Sequence, residues 1–527
     1  PFPCWERNSR PGSRDYSQMR LQYIFFFLVA LLSLLSAGCD EKETGRPNII
    51  LIIADDLGYG DTGPYGQIKI ETPNIDLLAE SGMRFTRHYA GSPVCAPSRC
   101  VLLTGMHTGH AQVRGNDEWA DRGEVWSYRA MIADSTLEGQ RPLADGTVTL
   151  ASVLQKNGYT TGAVGKWGLG APHTGGRPTS QGFDFFFGYN CQRMAHTYYP
   201  VHLWRNDSRV WLRNDTVAPH TGLDPGADPY DPASYDRFNM KDYAPDLMFG
   251  EMISFIDSNG DKPFFLYWAT PIPHLALQAP EEWVKKYTEK YGDEEPYDGS
   301  DGYFPVRYPH ATYAAMVSYL DDQVGRLINH LKDKGIYNNT LIIFTSDNGP
   351  AWNAGTDPEW FGSAGPFRGD QGYGKGSVNE GGIRVPLIVS WPGVIKGGTV
   401  SEHVSAFWDM MPTICELTGA EIPAGTDGIS FLPELTGRRQ PRHSHLYWEF
   451  PEYGGQQSVI IGNMKAIRKQ MHKGNETFEL YDLSADPSET RDIAHEHPEI
   501  IARVKEIISK EHLTSSNPGW RFSLLDE

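Results

Sequence analysis

Residues 47–56 are Pro-Asn-Ile-Ile-Leu-Ile-Ile-Ala-Asp-Asp, a continuous β-rich run that ends in two carboxylates. An unbroken apolar run of this kind is typical of a strand that is buried on both faces of a sheet. Open α/β sheets place their active sites beyond the carboxyl ends of such strands. Asp55 and Asp56 therefore mark one edge of the predicted sheet as a candidate site.

Strands and amphipathic helices alternate along the chain on both sides of this run. The further predicted strands lie at 160–167, 264–269, 341–345 and 385–391. Helical spacing of apolar residues is found at 74–81, 149–154 and 313–331. This alternation predicts an α/β fold with a mostly parallel sheet flanked by helices. The segments 171–245 and 280–310 are rich in Pro, Asp, Gly and Tyr, which predicts long loops that carry substrate contacts.

The pattern of predicted elements changes after about residue 437, where short strands replace the alternation of strands and helices. Short runs at 446–450, 458–461, 465–468 and 478–482 predict antiparallel strands, and 498–508 has the spacing of an amphipathic helix. We predict a catalytic domain over 46–436 and a small C-terminal α+β subdomain over 437–527.

Charge and composition limit the class of partner. The chain has 527 residues and a formal net charge of −19, which argues against nucleic-acid binding because phosphate contacts need clustered Lys and Arg. An anionic substrate is not excluded, since a few cations in a cleft outweigh a distant acidic surface when salt screens charges beyond about 10 Å.

Residues 19–39 have the features of an export signal. Arg20 gives a positive start, residues 21–35 are apolar but short for a membrane span, and small residues precede Cys39. This ending resembles a bacterial lipoprotein signal, and the alternatives are an ordinary cleaved signal peptide or an uncleaved anchor. We expect residues 1–45 to be an upstream extension, signal and tether. The body is then periplasmic or at the cell surface, and a lipid at Cys39 is its link to the membrane.

The segment 95–105, Cys-Ala-Pro-Ser-Arg-Cys-Val-Leu-Leu-Thr-Gly, is similar to the maturation signature of the type I sulfatases. A buried structural cysteine is the common alternative for an unpaired Cys. The resemblance spans about residues 46–515, and it implies the alkaline-phosphatase-like α/β fold. It also implies that a separate maturation enzyme oxidises Cys95 to formylglycine. One oxygen of the hydrated aldehyde attacks sulfur and the other expels sulfate, so one hard step becomes two.

The resemblance also implies a metal site built from oxygen donors. Its residues are Asp55 and Asp56 after the first strand, and Asp347 and Asn348 after the strand at 341–345. Oxygen donors select a hard cation, and the family points to Ca²⁺, with Mg²⁺ as the alternative. Taken singly, each pair could be a cap or a turn.

Four cationic or titratable residues match functional positions of the family: the position of Arg99 holds the diol and the metal ligands there, and that of His274 contacts sulfate. They are Arg99 in the signature, Lys166 in Gly-Lys-Trp-Gly-Leu-Gly, His274 in Pro-Ile-Pro-His, and Lys375 in Gly-Lys-Gly. Fixed positive charge is expected to stabilise the transition state, and His274 is expected to protonate the leaving oxygen.

One position departs from the family pattern. Gly168 stands where many relatives have the His that takes a proton from the diol. His107 and His110, just after the signature, are candidate replacements. The alternative for both is that they are residues of a surface loop without a catalytic role.

Residues 188–200 carry hydrogen-bonding side chains among tyrosines, a composition suited to sugar hydroxyls and ring faces. Gln192, Arg193, His196 and also His107 are the predicted sugar contacts, and a structural loop is the alternative for 188–200. Relatives with such segments act on sulfated galactose or N-acetylgalactosamine, which suggests a galacto-configured sulfated sugar.

Two other functions stay open at this stage. One is a formylglycine-dependent phosphonate or phosphodiester hydrolase, since this fold hosts both chemistries. The other is a lipid-tethered protein that binds sulfated glycan but lost turnover through Gly168. The sequence also leaves open whether Cys100 and Cys191 form a disulfide.

Overall fold

The computed structural model describes Pro1, residues 46–260 and residues 262–526. The chain divides into two compact units, residues 1–45 and 46–527, and all the described helices and strands lie in the second. The predicted export signal and Cys39 fall outside the described residues. Within the described part of the chain, no helix combines the length and the apolar character needed to cross a bilayer.

The strands of the second unit belong to two sheets. In chain order they are β1 (Asn48–Ala54), β2 (Met83–Tyr89), β3 (Thr160–Lys166), β4 (Phe185–Tyr189), β5 (His202–Arg205), β6 (Ser208–Trp211), β7 (Phe264–Ala269), β8 (Thr340–Ser346), β9 (Arg384–Ser390), β10 (Thr399–Ser401), β11 (Ser405–Ala406), β12 (Leu446–Phe450), β13 (Gln456–Ile461), β14 (Met464–Lys469) and β15 (Glu479–Asp482).

The α-helices flank these sheets. In chain order they are α1 (Pro73–Glu80), α2 (Cys95–Thr104), α3 (Tyr128–Ala133), α4 (Leu150–Lys156), α5 (Ala244–Ser258), α6 (Glu281–Tyr291), α7 (Pro309–Asp333), α8 (Pro358–Phe361), α9 (Glu380–Ile383), α10 (Met410–Thr418), α11 (Leu432–Leu435), α12 (Pro498–Glu511) and α13 (Ser523–Asp526).

The large sheet has the order β10-β2-β9-β8-β1-β7-β3-β4-β5-β6, with β11 paired to β2. Its centre is parallel, since β1 pairs with β7 and β8, and β3 pairs with β7 and β4. Strand β9 runs antiparallel to both β8 and β2. The predicted α/β fold with a mostly parallel sheet is confirmed.

Strand β1 is buried on both faces, as its apolar run predicts. Ile50 and Ile52 belong to the core on one side of the sheet, and Ile49, Leu51 and Ile53 to the core on the other. Each of these side chains is fully buried. A strand sandwiched in this way has a fixed register, so the residues that follow it have fixed places.

The C-terminal strands form the predicted antiparallel sheet, in the order β12-β13-β14-β15. Helix α12 packs on it through Val504, Ile507 and Ile508. The division into domains at 436/437 stays a prediction.

The two predicted long loops contain regular structure that the sequence prediction missed. Helix α6 lies in 280–310, but among its residues only Tyr287 is fully buried, so its apolar stripe is too thin to show a helical period. Strands β5 and β6 lie in 171–245, and β6 is a short edge strand with no fully buried residue, which hides the alternation of a hairpin. The strand-like run at 183–187 in the same segment overlaps β4.

Candidate active site

The carboxyl ends of four neighbouring strands supply the side chains of the candidate site. Asp55 and Asp56 follow β1, Asp347 and Asn348 follow β8, Lys166 ends β3, and His274 lies in the loop after β7. The pairing of Ala54 with Ser346 continues into a hydrogen bond from the Asp347 N–H to the Ala54 carbonyl, 3.0 Å long. Parallel pairing therefore brings together residues that are almost 300 positions apart.

Cys95 is the first residue of α2 and its thiol is buried in this cluster. Its Sγ lies 3.4 Å from Asp55 Oδ1 and 3.5 Å from Lys166 Nζ. The N–H of Ala96 donates to Asn116 Oδ1 at 3.0 Å, which fixes the start of the helix. Burial, followed by the Asp55 charge, raises the pKa of the Cys95 thiol. The unmodified thiol is therefore protonated and a poor nucleophile.

Arg99 lies one turn further along α2 and connects three strands. Its Nε and one terminal nitrogen donate to Asp347 Oδ2 at 3.0 and 2.8 Å, and its other terminal nitrogen donates to the Lys166 carbonyl at 2.7 Å. The same guanidinium lies 3.4 Å from Asp55 Oδ2. A planar guanidinium holds such a carboxylate in one orientation, so Arg99 fixes the geometry of the carboxylate cluster.

Lys166 and Lys375 bind one carboxylate each. Lys166 Nζ lies 2.6 Å from Asp55 Oδ2, and Lys375 Nζ lies 2.7 Å from Asp56 Oδ2. Burial alone would raise the pKa of Asp55, but Lys166, His274 and Arg99 outweigh it and hold that pKa far below its usual range. Asp55 is therefore ionised at neutral pH.

The buried carboxylates of the cluster repel one another, and a divalent cation between them would relieve that repulsion. Burial and the charge of Asp55 raise the pKa of Asp347 to about 6, because adjacent buried carboxylates repel. Asn348 donates from Nδ2 to Asp56 Oδ1 at 2.8 Å, while its Oδ1 is buried without any hydrogen-bond partner. Asp55, Asp56, Asp347 and this amide oxygen are all oxygen donors, the set that suits a hard cation.

His274 also faces the carboxylate cluster. Its Nε2 lies 3.7 Å from Asp56 Oδ2, and its Nδ1 bonds to the Leu275 carbonyl. That bond requires a proton on Nδ1, so Nε2 of the neutral ring faces the site with its lone pair. Burial, Lys166 and Lys375 lower the pKa of His274 to about 4.

The Gln192 side chain fills the space that a side chain at position 168 would occupy. Gly168 has a φ of +74°, and a Cβ built there would lie 2.6 Å from Gln192 Nε2 and 2.7 Å from its Cγ. Gln192 is almost fully buried and its Nε2 has no hydrogen-bond partner. An amide is not a base, so Gln192 fills the space of the missing histidine without replacing its chemistry.

The two candidate replacement histidines do not join the cluster around Cys95. His107 Nε2 lies 3.2 Å from Glu511 Oε2, and His110 Nδ1 lies 2.8 Å from Asp427 Oδ1. The two imidazoles stack on each other at 4.2 Å. Asp427 and Glu511 belong to the C-terminal part of the chain, so these contacts link it to the loop after α2.

The other predicted sugar contacts lie beside the cluster. The His196 ring stacks on the His274 ring at 5.4 Å between centroids, and its Nδ1 lies 3.1 Å from His220 Nε2. The Arg193 guanidinium lies 4.8 Å from the centre of the Trp126 ring, which is 58% exposed. His196 is therefore next to the predicted proton donor, while Arg193 lies beside an exposed aromatic ring.

Sequence reasoning missed several residues that border the site. Asn116 holds the start of α2, Tyr303 packs against His196, and Tyr453 packs against Gly376. All three lie in loops or turns with no periodic pattern, so no local signal could have identified them.

The question of a disulfide is settled for the described cysteines. Cys95, Cys100, Cys191 and Cys415 are all buried and unpaired. Cys191 Sγ lies 3.7 Å from Gln140 Nε2, and Cys100 packs inside α2. Cys100 and Cys191 do not pair.

Two family models match the chain. The model described as "Sulfatase" matches residues 47–420, and the model described as "N-sulphoglucosamine sulphohydrolase, C-terminal" matches residues 369–514.

Individual proteins match over nearly their whole length. Arylsulfatase A of Homo sapiens is 32% identical, over 91% of this chain and 90% of that protein. The N-acetylgalactosamine-6-O-sulfatase of Bacteroides thetaiotaomicron is 30% identical, over 91% of this chain and 96% of that protein. Among solved structures, Ps i-CgsB in complex with k-i-k-neocarrahexaose superposes with a TM-score of 0.68 at 26% identity, covering 88% of this chain and 93% of that one.

Proposed function

The chain belongs to the sulfatase family of sulfuric ester hydrolases, and from this premise we propose that it hydrolyses the sulfate ester of a sulfated sugar with formylglycine at position 95 and Ca²⁺ between its carboxylates. The observation that carries the proposal is the position of Cys95. Its Sγ lies at the start of a ten-residue helix, 3.4 Å from the Asp55 carboxylate and 3.5 Å from the Lys166 ammonium.

The residues around Cys95 fit the modified side chain. A hydrated formylglycine supplies an oxygen nucleophile in place of the thiol, whose raised pKa keeps it protonated. The amino end of α2 carries partial positive charge and favours an anion beside it. Asp55 Oδ1, at 3.4 Å from Sγ, is in reach to accept a hydrogen bond from an oxygen at this position.

The oxygen-donor cluster fits the proposed cation. Asp55, Asp56, Asp347 and the unpartnered oxygen of Asn348 would hold it, and a divalent cation there would supply charge stabilisation for sulfate oxygens. Ca²⁺ accepts irregular sets of oxygen ligands, whereas Mg²⁺ demands near-octahedral geometry. We favour Ca²⁺ because the four donors come from two adjacent strand ends rather than from a symmetrical cage.

Lys166 and Lys375 position the sulfate, and His274 protonates the leaving oxygen of the sugar. Lys166 and Lys375 each place an ammonium at the cluster, where positive charge stabilises an anionic transition state. A bound sulfate ester adds negative charge beside His274 and raises its pKa above the value of about 4 that burial imposes. His274 Nε2 then carries the proton that passes to the sugar oxygen.

A galacto-configured sugar is the proposed substrate. Its support is the name of the Bacteroides relative, an N-acetylgalactosamine-6-O-sulfatase, together with the position of His196 against His274. The test is sulfate release from galactose, N-acetylgalactosamine and glucosamine sulfates. Replacing Arg193 or His196 with Ala should impair the preferred sugar more than a small aryl sulfate, and equal loss on both substrates would contradict a sugar-binding role.

A second candidate function is binding of sulfated glycan without turnover, and Gln192 in the space beside Gly168 favours it. The two candidates differ in one result, because a binder retains the sugar but releases no sulfate. The phosphonate or phosphodiester hydrolase alternative is not favoured by the family match.

The location of the protein is a further proposal. We propose that it is exported and held at a membrane by a lipid on Cys39, and that a separate enzyme matures Cys95. The support is the sequence alone: the apolar run 21–35, the small residues before Cys39 and the signature at 95–105. Labelling with a radioactive fatty acid tests the anchor, and loss of label in Cys39→Ala is the expected result.

A further inference from the structure

The turn between β12 and β13 brings the C-terminal sheet to the candidate active site. In this turn, residues 451–455, the Tyr453 ring lies against Gly376. A Cβ built on Gly376 would lie 3.3 Å from two atoms of that ring. Gly376 directly follows Lys375, whose ammonium lies 2.7 Å from Asp56. Tyr453 therefore stands beside one of the two lysines of the site.

Backbone hydrogen bonds hold this turn in place, while Tyr453 remains largely exposed to solvent. The backbone N–H groups of Met471 and His472 donate to the carbonyls of Gly455 and Gly454 at 3.1 and 3.0 Å. Tyr453 nevertheless remains 61% exposed. The ring stacks on Phe450 with 5.7 Å between centroids, and a large aromatic ring that is packed in this way yet more than half exposed is suited to bind a ligand at low entropic cost.

The neighbouring residue of the turn contacts the segment that holds Cys95. Glu452 accepts a hydrogen bond from the backbone of Asn116, and burial raises the pKa of Glu452 to about 7. The Asn116 side chain in turn accepts from the N–H of Ala96, next to Cys95. Hydrogen bonds thus connect the turn to the segment that carries Cys95, and the turn forms part of the wall of the site.

A second tyrosine, Tyr303, lies beside His274, which faces the same carboxylate. The Tyr303 ring lies 6.1 Å from the His274 ring and 5.0 Å from the His196 ring, between centroids. Lys375 and His274 both face Asp56 Oδ2, at 2.7 and 3.7 Å. Tyr453 packs beside the lysine and Tyr303 beside the histidine, so both rings border residues that face Asp56.

Both tyrosines have a backbone conformation that L-residues rarely adopt. The φ of Tyr303 is +64° and that of Tyr453 is +51°. A bulky residue in this region is strained, and such strain clusters at ligand-binding sites. Two strained tyrosines beside one site point to a role that a glycine or asparagine in the same turns would not fulfil.

We propose that Tyr453 and Tyr303 form a pyranose-binding subsite that holds the sugar ring next to its sulfate group, with the C-terminal subdomain supplying one wall. The inference rests on the proposed function, because it assigns the sugar end of the same substrate. An aromatic ring offers a flat apolar face to the C–H groups of a pyranose. The loss of one ring should therefore weaken sugar binding about 3- to 10-fold.

The test compares Tyr453→Ala and Tyr303→Ala with the unaltered chain. The substrates are a small aryl sulfate and the sugar sulfate that the unaltered chain hydrolyses fastest. We expect KM for the sugar to rise about 3- to 10-fold, with kcat retained and with the aryl sulfate little changed. Tyr453→Phe should retain the low KM, since the ring face remains. The control is Tyr230→Ala, an exposed tyrosine whose hydroxyl bonds to Glu295.

A binding measurement separates this inference from the proposed chemistry. Calorimetry in a Cys95→Ala background, with each panel sugar sulfate as the probe, reports affinity without turnover. Weaker binding in the tyrosine variants supports the subsite even if no sulfate is released, whereas sulfate release with unchanged sugar KM and affinity overturns the subsite and leaves the chemistry intact. Equal KM increases on both substrates, or no binding of any panel sugar, also overturn it.

Discussion

The ammonium of Lys166 lies 2.6 Å from the carboxylate of Asp55, and both side chains are almost completely buried. One residue ends β3 and the other follows β1, with β7 between their strands. The pair balances one of the three carboxylates of the cluster, and the same ammonium lies 3.5 Å from Cys95 Sγ. Structure and proposed chemistry thus depend on the same ion pair.

Removing the lysine charge should cost both activity and stability. In Lys166→Met, the ammonium is lost while most of the side-chain volume remains. We expect kcat for sulfate release to fall about 10²- to 10³-fold. Without added cation, the free energy of unfolding should fall by about 3–5 kcal/mol, because a buried carboxylate loses its partner. Lys156→Met, on the exposed end of α4, is the control. A kcat within threefold of the unaltered chain would contradict the role of Lys166.

Removal of divalent cations should destabilise the protein and stop turnover. The cluster has three carboxylates and an unpartnered Asn348 oxygen, so a chelator should lower the unfolding temperature and abolish sulfate release. Ca²⁺ at about 100 times its Kd should restore about 2.7 kcal/mol of stability. Asn348→Ala should raise the Ca²⁺ concentration needed. Full activity in chelator, confirmed by elemental analysis of the sample, would refute the metal site.

A histidine at position 168 should not be tolerated unless Gln192 is also changed. Its Cβ would lie 2.6 Å from Gln192 Nε2, at a φ of +74°. Gly168→His should therefore lose about 1–3 kcal/mol of unfolding free energy from overpacking, in addition to backbone strain. Gly146→His is the matched control, since Gly146 has a φ of +76° and nothing within 4 Å of its Cβ position. Combining Gly168→His with Gln192→Ala should recover part of the loss; equal losses for the two single histidine variants would exclude the clash.

The contacts that the loop after α2 makes with Asp427 and with α12 should depend on pH. The hydrogen bond to Asp427 raises the pKa of His110 above 6.5, so its stabilising effect is complete below pH 6.5 and is lost as the pH rises through the raised pKa. The hydrogen bond from His107 lowers the pKa of Glu511 to about 2 from 4.5. Its stabilising effect is complete above pH 4.5 and is lost as the pH falls toward 2.

Urea unfolding from pH 3 to pH 9 measures this dependence as a difference between variants. Relative to the unaltered chain, His110→Gln should lose stability mainly below pH 6.5 and Glu511→Gln mainly above pH 4.5. Differences that are constant across the whole range would show that the two contacts do not titrate as described.

The centre of the fold and most of the cluster follow from local sequence. The run 49–54 is apolar at every position and buried throughout, and the carboxylates directly follow it, so strand and site position are encoded together. The predicted strand at 341–345 is β8, extended by one residue at each end, and the predicted helix at 313–331 is α7, extended to Pro309–Asp333. Both have apolar patterns strong enough to be seen without tertiary information.

The borders of the site could not be predicted in the same way. Tyr453 reaches Lys375 because the β12–β13 turn docks on Gly376, which is a tertiary contact without a sequence pattern. His107 followed the signature in sequence but turns toward Glu511, since proximity in the chain does not fix the direction of a side chain. Helix α6 was missed because its buried stripe is reduced to Tyr287.

The central claim is that an oxidised Cys95 hydrolyses a sulfate ester, and sulfate release by protein of known maturation state tests it most directly. The mass of the peptide that contains residue 95 measures the fraction of formylglycine, and the rate is measured for preparations that differ in that fraction, with Cys95→Ala as the control. The account predicts a rate proportional to the formylglycine fraction and no release from Cys95→Ala. Release from Cys95→Ala, or none from fully matured protein on any aryl or sugar sulfate of the panel, would contradict it.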